Sequence, residues 1–263
     1  MPQLKMEKTS SEDILKLKFK TDSGMGFRAN IGIIVLSSDQ TLELEFRTLL
    51  DFEGVALYHA RIPNEMNIQE ETLAKMEREI PNTASLLPVS FNFDVIGYGC
   101  TSGTTVIGEE KVTNAIRNTH PGIFVSNPLT ASKAAFNALN LKRIAFLTPY
   151  KPAITKAMRH NFMEDGFEIP ITASFYESDD FVVGRITPNS ILESIKRIGE
   201  RDECDGVFVS CTNLRVASII KLAEEYLGKP VTSSNHSLAW HLLRLAGIND
   251  TTKNLGRLFN QVI

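Results

Sequence analysis

The sequence predicts an α/β protein of two similar lobes, each built on a parallel sheet covered by helices. Three observations lead there. From Arg28 onward, short apolar runs alternate with helical patterns, as in parallel strands joined by crossover helices. The alternation occurs twice, offset by roughly 110 residues, which is a duplicated lobe and not a solenoid repeat. Cys100 and Cys211 stand in matching frames, each closing an apolar run, DVIGYG and DGVFVS.

The elements follow in order. Residues 1–27 are charged, lack the apolar stretch of a secretory signal, and read as an arm or a short added helix. Residues 31–36 (IGIIVL) form a buried strand. Residues 39–50 have helical spacing and open at Asp39, a plausible N-cap. Residues 55–62 form a second strand, 67–80 a charged amphipathic helix, and 93–98 the third strand, leading to Cys100. The second half repeats this. Residues 143–148 are a strand, 152–165 a helix closed by Gly166, and 171–176 a strand. Thr187 caps the next helix, with Pro188 at its first position and Gly199 at its end. Residues 207–210 lead to Cys211, and 214–227 read as a nearly all-apolar helix stopped by Gly228 and Pro230.

The last segment, PVTSSNHSLAWHLLRLAGI, reads as a strand start, a polar turn and an amphipathic helix that returns to the first lobe. The expected division is an arm at 1–27, one lobe from 28–127 plus 230–263, and a second lobe at 128–229. Asn127, Pro128 and Thr130 lie at the crossing, as hinge or site elements. Facing lobes related by a pseudo-two-fold axis would bring both cysteines to one cleft.

Composition narrows the function. A hydrophobic fraction of 43% and a charged fraction of 22% are those of a globular protein. A net charge of -3 leaves no basic footprint for nucleic acid. No apolar run is long enough to cross a bilayer, and a cytoplasmic location is the default expectation. There, 3 cysteines read as free thiols.

The carboxyl end of a parallel strand is where open α/β sheets place their chemistry. A helix N-terminus following it lowers a thiol pKa. Thr101, Ser102 and Gly103 after the first cysteine, and Thr212 and Asn213 after the second, let backbone N–H groups approach a carboxylate or a developing enolate. Two opposed thiols can then invert a stereocentre by proton transfer, or add to an activated double bond and eliminate after rotation. Neither reaction needs a metal or an organic cofactor. One cysteine at a strand end is as easily a small buried hydrophobe; the matched pair favours a site. Cys204 reads as incidental. His236 and His241 are five apart, the wrong spacing for zinc on a helix, and His59 and His120 read as structural or exposed. No GxGxxG, GxxxxGK[ST] or GxSxG run occurs.

At residues 36–43 (LSSDQTLE), 97–104 (GYGCTSGT), 147–150 (LTPY), 179–185 (DDFVVGR) and 210–213 (SCTN), the chain resembles the aspartate/glutamate racemase superfamily. The nearest branch holds maleate cis-trans isomerases, arylmalonate decarboxylases and ectoine-utilisation racemase-like proteins. The resemblance implies two facing Rossmann-like lobes, a cofactor-free cleft, and a homodimer or higher homo-oligomer. It implies Cys100 as nucleophile, Cys211 as the proton-handling thiol and Tyr150 as a ligand of the substrate carboxylate. Cys100 stands where the decarboxylases carry glycine.

Asp39 and Asp180 stand where maleate isomerases are taken to carry asparagine. Two aspartates repel a dicarboxylate, by about 1 kcal/mol per close pair even in water. The expected substrate is therefore a small carboxylate with a cationic nitrogen near Asp39 or Asp180, amino-acid-like or ectoine-derived. The alternatives are maleate isomerisation, an arylmalonate-decarboxylase-like lyase, and a non-catalytic sensor. The plainer roles are a helix cap for Asp39, a solvated loop acid for Asp180 and a turn residue for Tyr150.

Overall fold

The computed structural model describes residues 16–263. Residues 16–27 contain no helix or strand; the rest of the expected arm lies outside the described residues. The first half runs β1 (Ala29–Leu36), α1 (Leu42–Leu49), β2 (Val55–Ile62), α2 (Glu70–Ala84), β3 (Val95–Gly99), α3 (Thr101–Ile107), α4 (Glu109–Arg117) and β4 (Phe124–Ser126). The second runs α5 (Pro128–Ala138), β5 (Arg143–Thr148), α6 (Pro152–Glu164), β6 (Glu168–Ser174), α7 (Asp180–Val183), α8 (Pro188–Gly199), β7 (Gly206–Val209), α9 (Ile220–Leu227), β8 (Val231–Ser233) and α10 (Ser234–Leu245).

Two parallel sheets result, ordered β2-β1-β3-β4 and β6-β5-β7-β8. The identical order is the structural form of the internal repeat. In both sheets the third strand in sequence lies beside the first, so β3 and β7 run through the middle and end at the cysteines. Helices cover both faces, and every residue of β3 and β7 is buried. Gly99 is required where β3 meets α1: a Cβ there would sit 2.5 Å from Leu42 Cδ1 and 3.1 Å from the Ile34 carbonyl oxygen. In the second half, the rings of Phe146 and Phe208 lie parallel with centroids 5.9 Å apart, and Phe162 meets Phe208 edge-on at 5.5 Å.

The structure departs from the sequence reading in three places. β8 pairs with β7, Val231 opposite Val207, so the second sheet continues past residue 229 to Ser233. The apolar stretch from Leu214 is not one helix: a turn and a 3-10 segment (Ala217–Ile219) precede α9. Most importantly, α10 is buried on all sides from Ser234 to Arg244. It packs against α5, α1 and β3. Its polar residues are thus interior groups, and each needs a partner. Thr232 Oγ1 meets His236 Nδ1 at 3.0 Å, Ser126 Oγ meets His241 Nδ1 at 2.7 Å, and Arg244 donates to the Ile248 carbonyl at 2.6 Å.

One charged group ties the halves together. Glu45 of α1 accepts from Val216 N at 2.7 Å, Ala217 N at 2.8 Å and Asn235 Nδ2 at 2.8 Å. Burial outweighs these donors and pushes its carboxyl up to about 7. The folded chain therefore binds this proton more tightly than the unfolded chain. The resulting stability is full below the unfolded carboxylate range and is lost as pH rises through about 7. Burial holds His236 and His241 down at about 4, so their contribution is lost in the opposite direction, as pH falls. Comparison with Glu45→Gln isolates the glutamate. Between about pH 5 and about pH 8, the Tm difference is expected to move by several degrees in favour of the glutamine variant. An unchanged difference in calorimetric Tm would mean that Glu45 stays ionised in the fold.

Candidate active site

The carboxyl ends of β3 and β7 open onto a common cavity of about 20 Å³, room for about one water molecule. Cys100, Thr101 and Ser102 line it from one half, and Tyr150, Asp180, Cys211 and Thr212 from the other. Leu36, Ile68, Leu73 and Met76 supply apolar wall. Asp39 and Asn213 stand behind this wall and support it.

Cys100 leaves β3 in an extended conformation and is the N-cap of α3; its Sγ accepts from Gly103 N at 3.2 Å and lies 3.7 Å from Ser102 Oγ. The small residues Thr101-Ser-Gly103 allow the helix to begin directly at the sulfur. Cys211 is different. The sequence suggests a helix N-terminus here too, but a turn follows, because Cys211 has φ of +118°, a conformation that cannot enter a helix and is strained for a residue with a Cβ. Its thiol is raised by burial and by the charge of Asp180, and the nearby Tyr150 hydroxyl and Asn213 backbone N–H oppose that rise. Tyr150 is 1% exposed, and its hydroxyl faces both Cys211 and Ser102.

Asp39 has two distinct carboxyl oxygens. Oδ1 accepts from Thr41 N and Leu42 N, both at 2.8 Å, capping α1. Oδ2 is buried without a hydrogen-bond partner and lies towards Thr212, whose hydroxyl is directed at the Gly99 carbonyl. Asp180 accepts from Ser38 Oγ, and its carbonyl accepts from Asn213 Nδ2 at 2.8 Å. The Asn213 side chain also accepts from Gln40 N at 2.9 Å, so it straps the two halves together behind the cavity.

Two loops roof the site. Ile68 N donates to Ser178 O at 2.8 Å and Asp180 N to Met66 O at 2.9 Å, so the chain after β2 pairs with the chain after β6 across the cleft.

The electrostatics reverse the expectation of depressed thiols. Burial pushes the Cys100 thiol up to about 12, and Cys211 also goes well up. The carboxyls of Asp180 and Asp39 add to both shifts, against the opposing N–H donors. Burial likewise raises Asp39, to about 6, and Asp180. Among the described residues no Lys, Arg or His lines the cavity. No group of three or more His, Cys, Asp or Glu among them is placed to hold a metal ion, and no helix among them is long and apolar enough to cross a membrane. Of the other residues singled out, Cys204 is buried away from the cavity with its thiol on backbone carbonyls, and Asn127 caps α5 through Leu129 N and Thr130 N.

Sequence reasoning missed the N-terminus of α10. Ser234 and Asn235 contact the backbones of Cys211 and Thr212. The small polar run SSNHS directly after a strand start is the signal that could have drawn attention to them. It also missed Ser38 and, apart from Asp180, the roof residues, for which no local signal exists.

Comparison with known proteins agrees with this architecture. A family model described as arylmalonate decarboxylase matches residues 112–259. The maleate isomerase of Alcaligenes faecalis is 26% identical over 246 residues, covering 88% of this chain and 96% of that protein. A variant of the maleate isomerase Iso from Pseudomonas putida S16, solved with maleate, superposes with a TM-score of 0.80 at 23% identity, covering 89% of this chain and 99% of that one. A Nocardia farcinica maleate cis-trans isomerase variant with a covalently bound succinylcysteine intermediate has a TM-score of 0.76 at 24% identity, covering 88% and 98%. The two solved structures establish that the fold is shared.

Proposed function

The chain belongs to the arylmalonate decarboxylase family, and from that premise we propose that it is a cofactor-independent cis-trans isomerase acting on maleate or a close cis-dicarboxylate. The observation that carries this reading is the meeting of two cysteines, from opposite sheets, with Tyr150 at one closed cavity. Relatives named maleate isomerase along nearly the whole chain support it.

The chemistry follows from the two sulfurs. Cys100, raised to about 12 in the closed site, gives up its proton to solvent while the site is open; its thiolate then adds to one alkene carbon, and the π pair moves to the other, which takes a proton from the Cys211 thiol. The adduct is a succinyl thioether with a single bond between the former alkene carbons. Rotation about that bond, return of the proton to Cys211 and departure of Cys100 give the trans acid, with Cys211 again a thiol and Cys100 released as thiolate. Ser102, Tyr150 and the backbone N–H groups of the cysteine loops hold the carboxylates. Closure of the roof keeps water from the carbanion.

The cationic substrate expected from Asp39 and Asp180 rested on both being charged. Burial raises both carboxyls. A neutral carboxyl presents an O–H where asparagine presents an N–H, so it donates to a substrate carboxylate instead of repelling it. The charge argument against maleate is therefore weakened below about pH 6, where Asp39 is mostly neutral, and the relatives favour maleate over an amino-acid-like or ectoine-derived compound.

A second reading, loss of carbon dioxide from an arylmalonate, is favoured by the family model itself. It needs only Cys211 as proton donor and leaves Cys100 without a task. Proton NMR separates the two. Maleate is expected to give fumarate without added metal or cofactor, while phenylmalonate stays intact. Release of carbon dioxide from phenylmalonate with maleate unchanged would establish the second reading.

A further inference from the structure

We infer that Ser234 is the positioning residue that ties the two cysteine loops together and holds Cys211 in its left-handed backbone conformation. This rests on Cys100 and Cys211 being the reacting pair. Ser234 is the first residue of α10 and is 0% exposed. Its Oγ accepts from Thr101 Oγ1 at 2.8 Å, next to Cys100, and from the Cys211 backbone N–H at 3.0 Å. One hydroxyl thus joins the end of the first sheet to the end of the second.

The backbone supplies an independent reason for this contact. Among the described residues only four non-glycine residues have positive φ, and Cys211, at +118°, lies furthest from the ordinary left-handed helical region. Such a conformation persists only where the surroundings over-determine it. Residues 211–213 are clamped in that way. Ser234 takes the Cys211 N–H, Asn235 Nδ2 donates to Thr212 O at 2.7 Å, and Thr41 Oγ1 donates to Asn213 O at 2.9 Å. Of these three partners only Ser234 also reaches the opposite cysteine loop, where it adds to the direct contact of Thr212 Oγ1 with the Gly99 carbonyl at 3.4 Å. Without its oxygen, a buried N–H and a buried hydroxyl lose their acceptor, and Cys211 relaxes towards negative φ. Relaxation swings its sulfur away from Tyr150 and from the substrate carbon that it must protonate.

The test is Ser234→Ala. Displacement of a reacting group by about an ångström costs roughly 10²-fold in turnover. The expected result is a fall of that size in kcat for maleate with KM within about threefold, because the carboxylate-holding groups remain. Alkylation of Cys211 by iodoacetamide, followed by peptide mass spectrometry, is expected to change in rate, and a crystal structure of the variant should place Cys211 at negative φ. Ser234→Thr keeps the hydroxyl and is expected to recover most of kcat. If the alanine variant does not fold, Ser234→Cys serves, because its weaker acceptor should give an intermediate loss of kcat. Unchanged kcat together with unchanged Cys211 alkylation would overturn the inference. If the unmodified protein does not act on maleate, the proposed function fails, while the alkylation and crystallographic measurements still decide the role of Ser234.

Discussion

Replacing Cys211 with serine is expected to stop turnover of maleate and to trap the reaction on Cys100. A serine hydroxyl in a buried site neither releases nor recovers a proton as a thiol does, and loss of a positioned acid–base group costs about 10²–10⁴-fold. Addition of Cys100 to the double bond can still occur while the roof is open, when water reaches the site and supplies the proton. The adduct then lacks the base that would reverse protonation after rotation. Intact-protein mass spectrometry should show a gain of one maleate per chain, located on the peptide that carries Cys100. Cys100→Ser should show neither turnover nor adduct, because a hydroxyl is a poor nucleophile without a dedicated base. A decarboxylase would behave otherwise: Cys100→Ser would retain loss of carbon dioxide, and only Cys211→Ser would lose it. An adduct on Cys211 instead of Cys100 would exchange the two roles.

The second large effect concerns pH. With Asp39 raised to about 6 and Asp180 raised beside it, the site accepts a dicarboxylate most readily when these carboxyls are neutral. Below about pH 6 Asp39 is mostly neutral; above it, its charge behind the cavity wall repels a dicarboxylate. The KM for maleate is therefore expected to rise with pH above about 6, by up to about tenfold per unit for one coupled proton. The groups that shape this titration are Asp180, Cys100, Cys211, Glu45 and Arg61, each of which feels Asp39 or is felt by it. Asp39→Asn supplies a permanent donor of the same shape. It should flatten the KM profile, and it separates ionisation of the enzyme from that of maleate. The same substitution removes a like charge that opposes both thiolates. The pH at which Cys100 becomes reactive towards iodoacetamide should fall accordingly. A KM that does not vary with pH in the unmodified protein would show that the charge of Asp39 is not felt by the substrate.

Much of this molecule could be read along the chain. The apolar runs at residues 31–36, 143–148 and 207–210 are strands because a strand buried on both faces must be apolar throughout, a local property. Gly166, Gly228, Thr187 and Pro188 mark helix ends because backbone geometry near a cap depends on neighbouring residues; each occupies the expected position. The frames around Cys100 and Cys211 identified the ends of β3 and β7 for the same reason. The reading of the last helix failed because amphipathicity assumes a solvent-facing side, and α10 has none.

What the sequence determined by itself was the order of strands and helices, their duplication, and the pair of cysteines at equivalent strand ends. The tertiary structure decided the state of those cysteines. Burial raises both thiols and both aspartates, although short-range signals at Cys100 pointed the other way, because desolvation is set by every group that excludes water from the cleft. The turn after Cys211, its φ of +118° and the hydroxyl of Ser234 that holds it likewise arise where chain segments remote from one another meet. Local pattern encodes where a chain bends and what it buries. Protonation and strain depend on what surrounds a group in space, and that is settled only when the two halves close on each other.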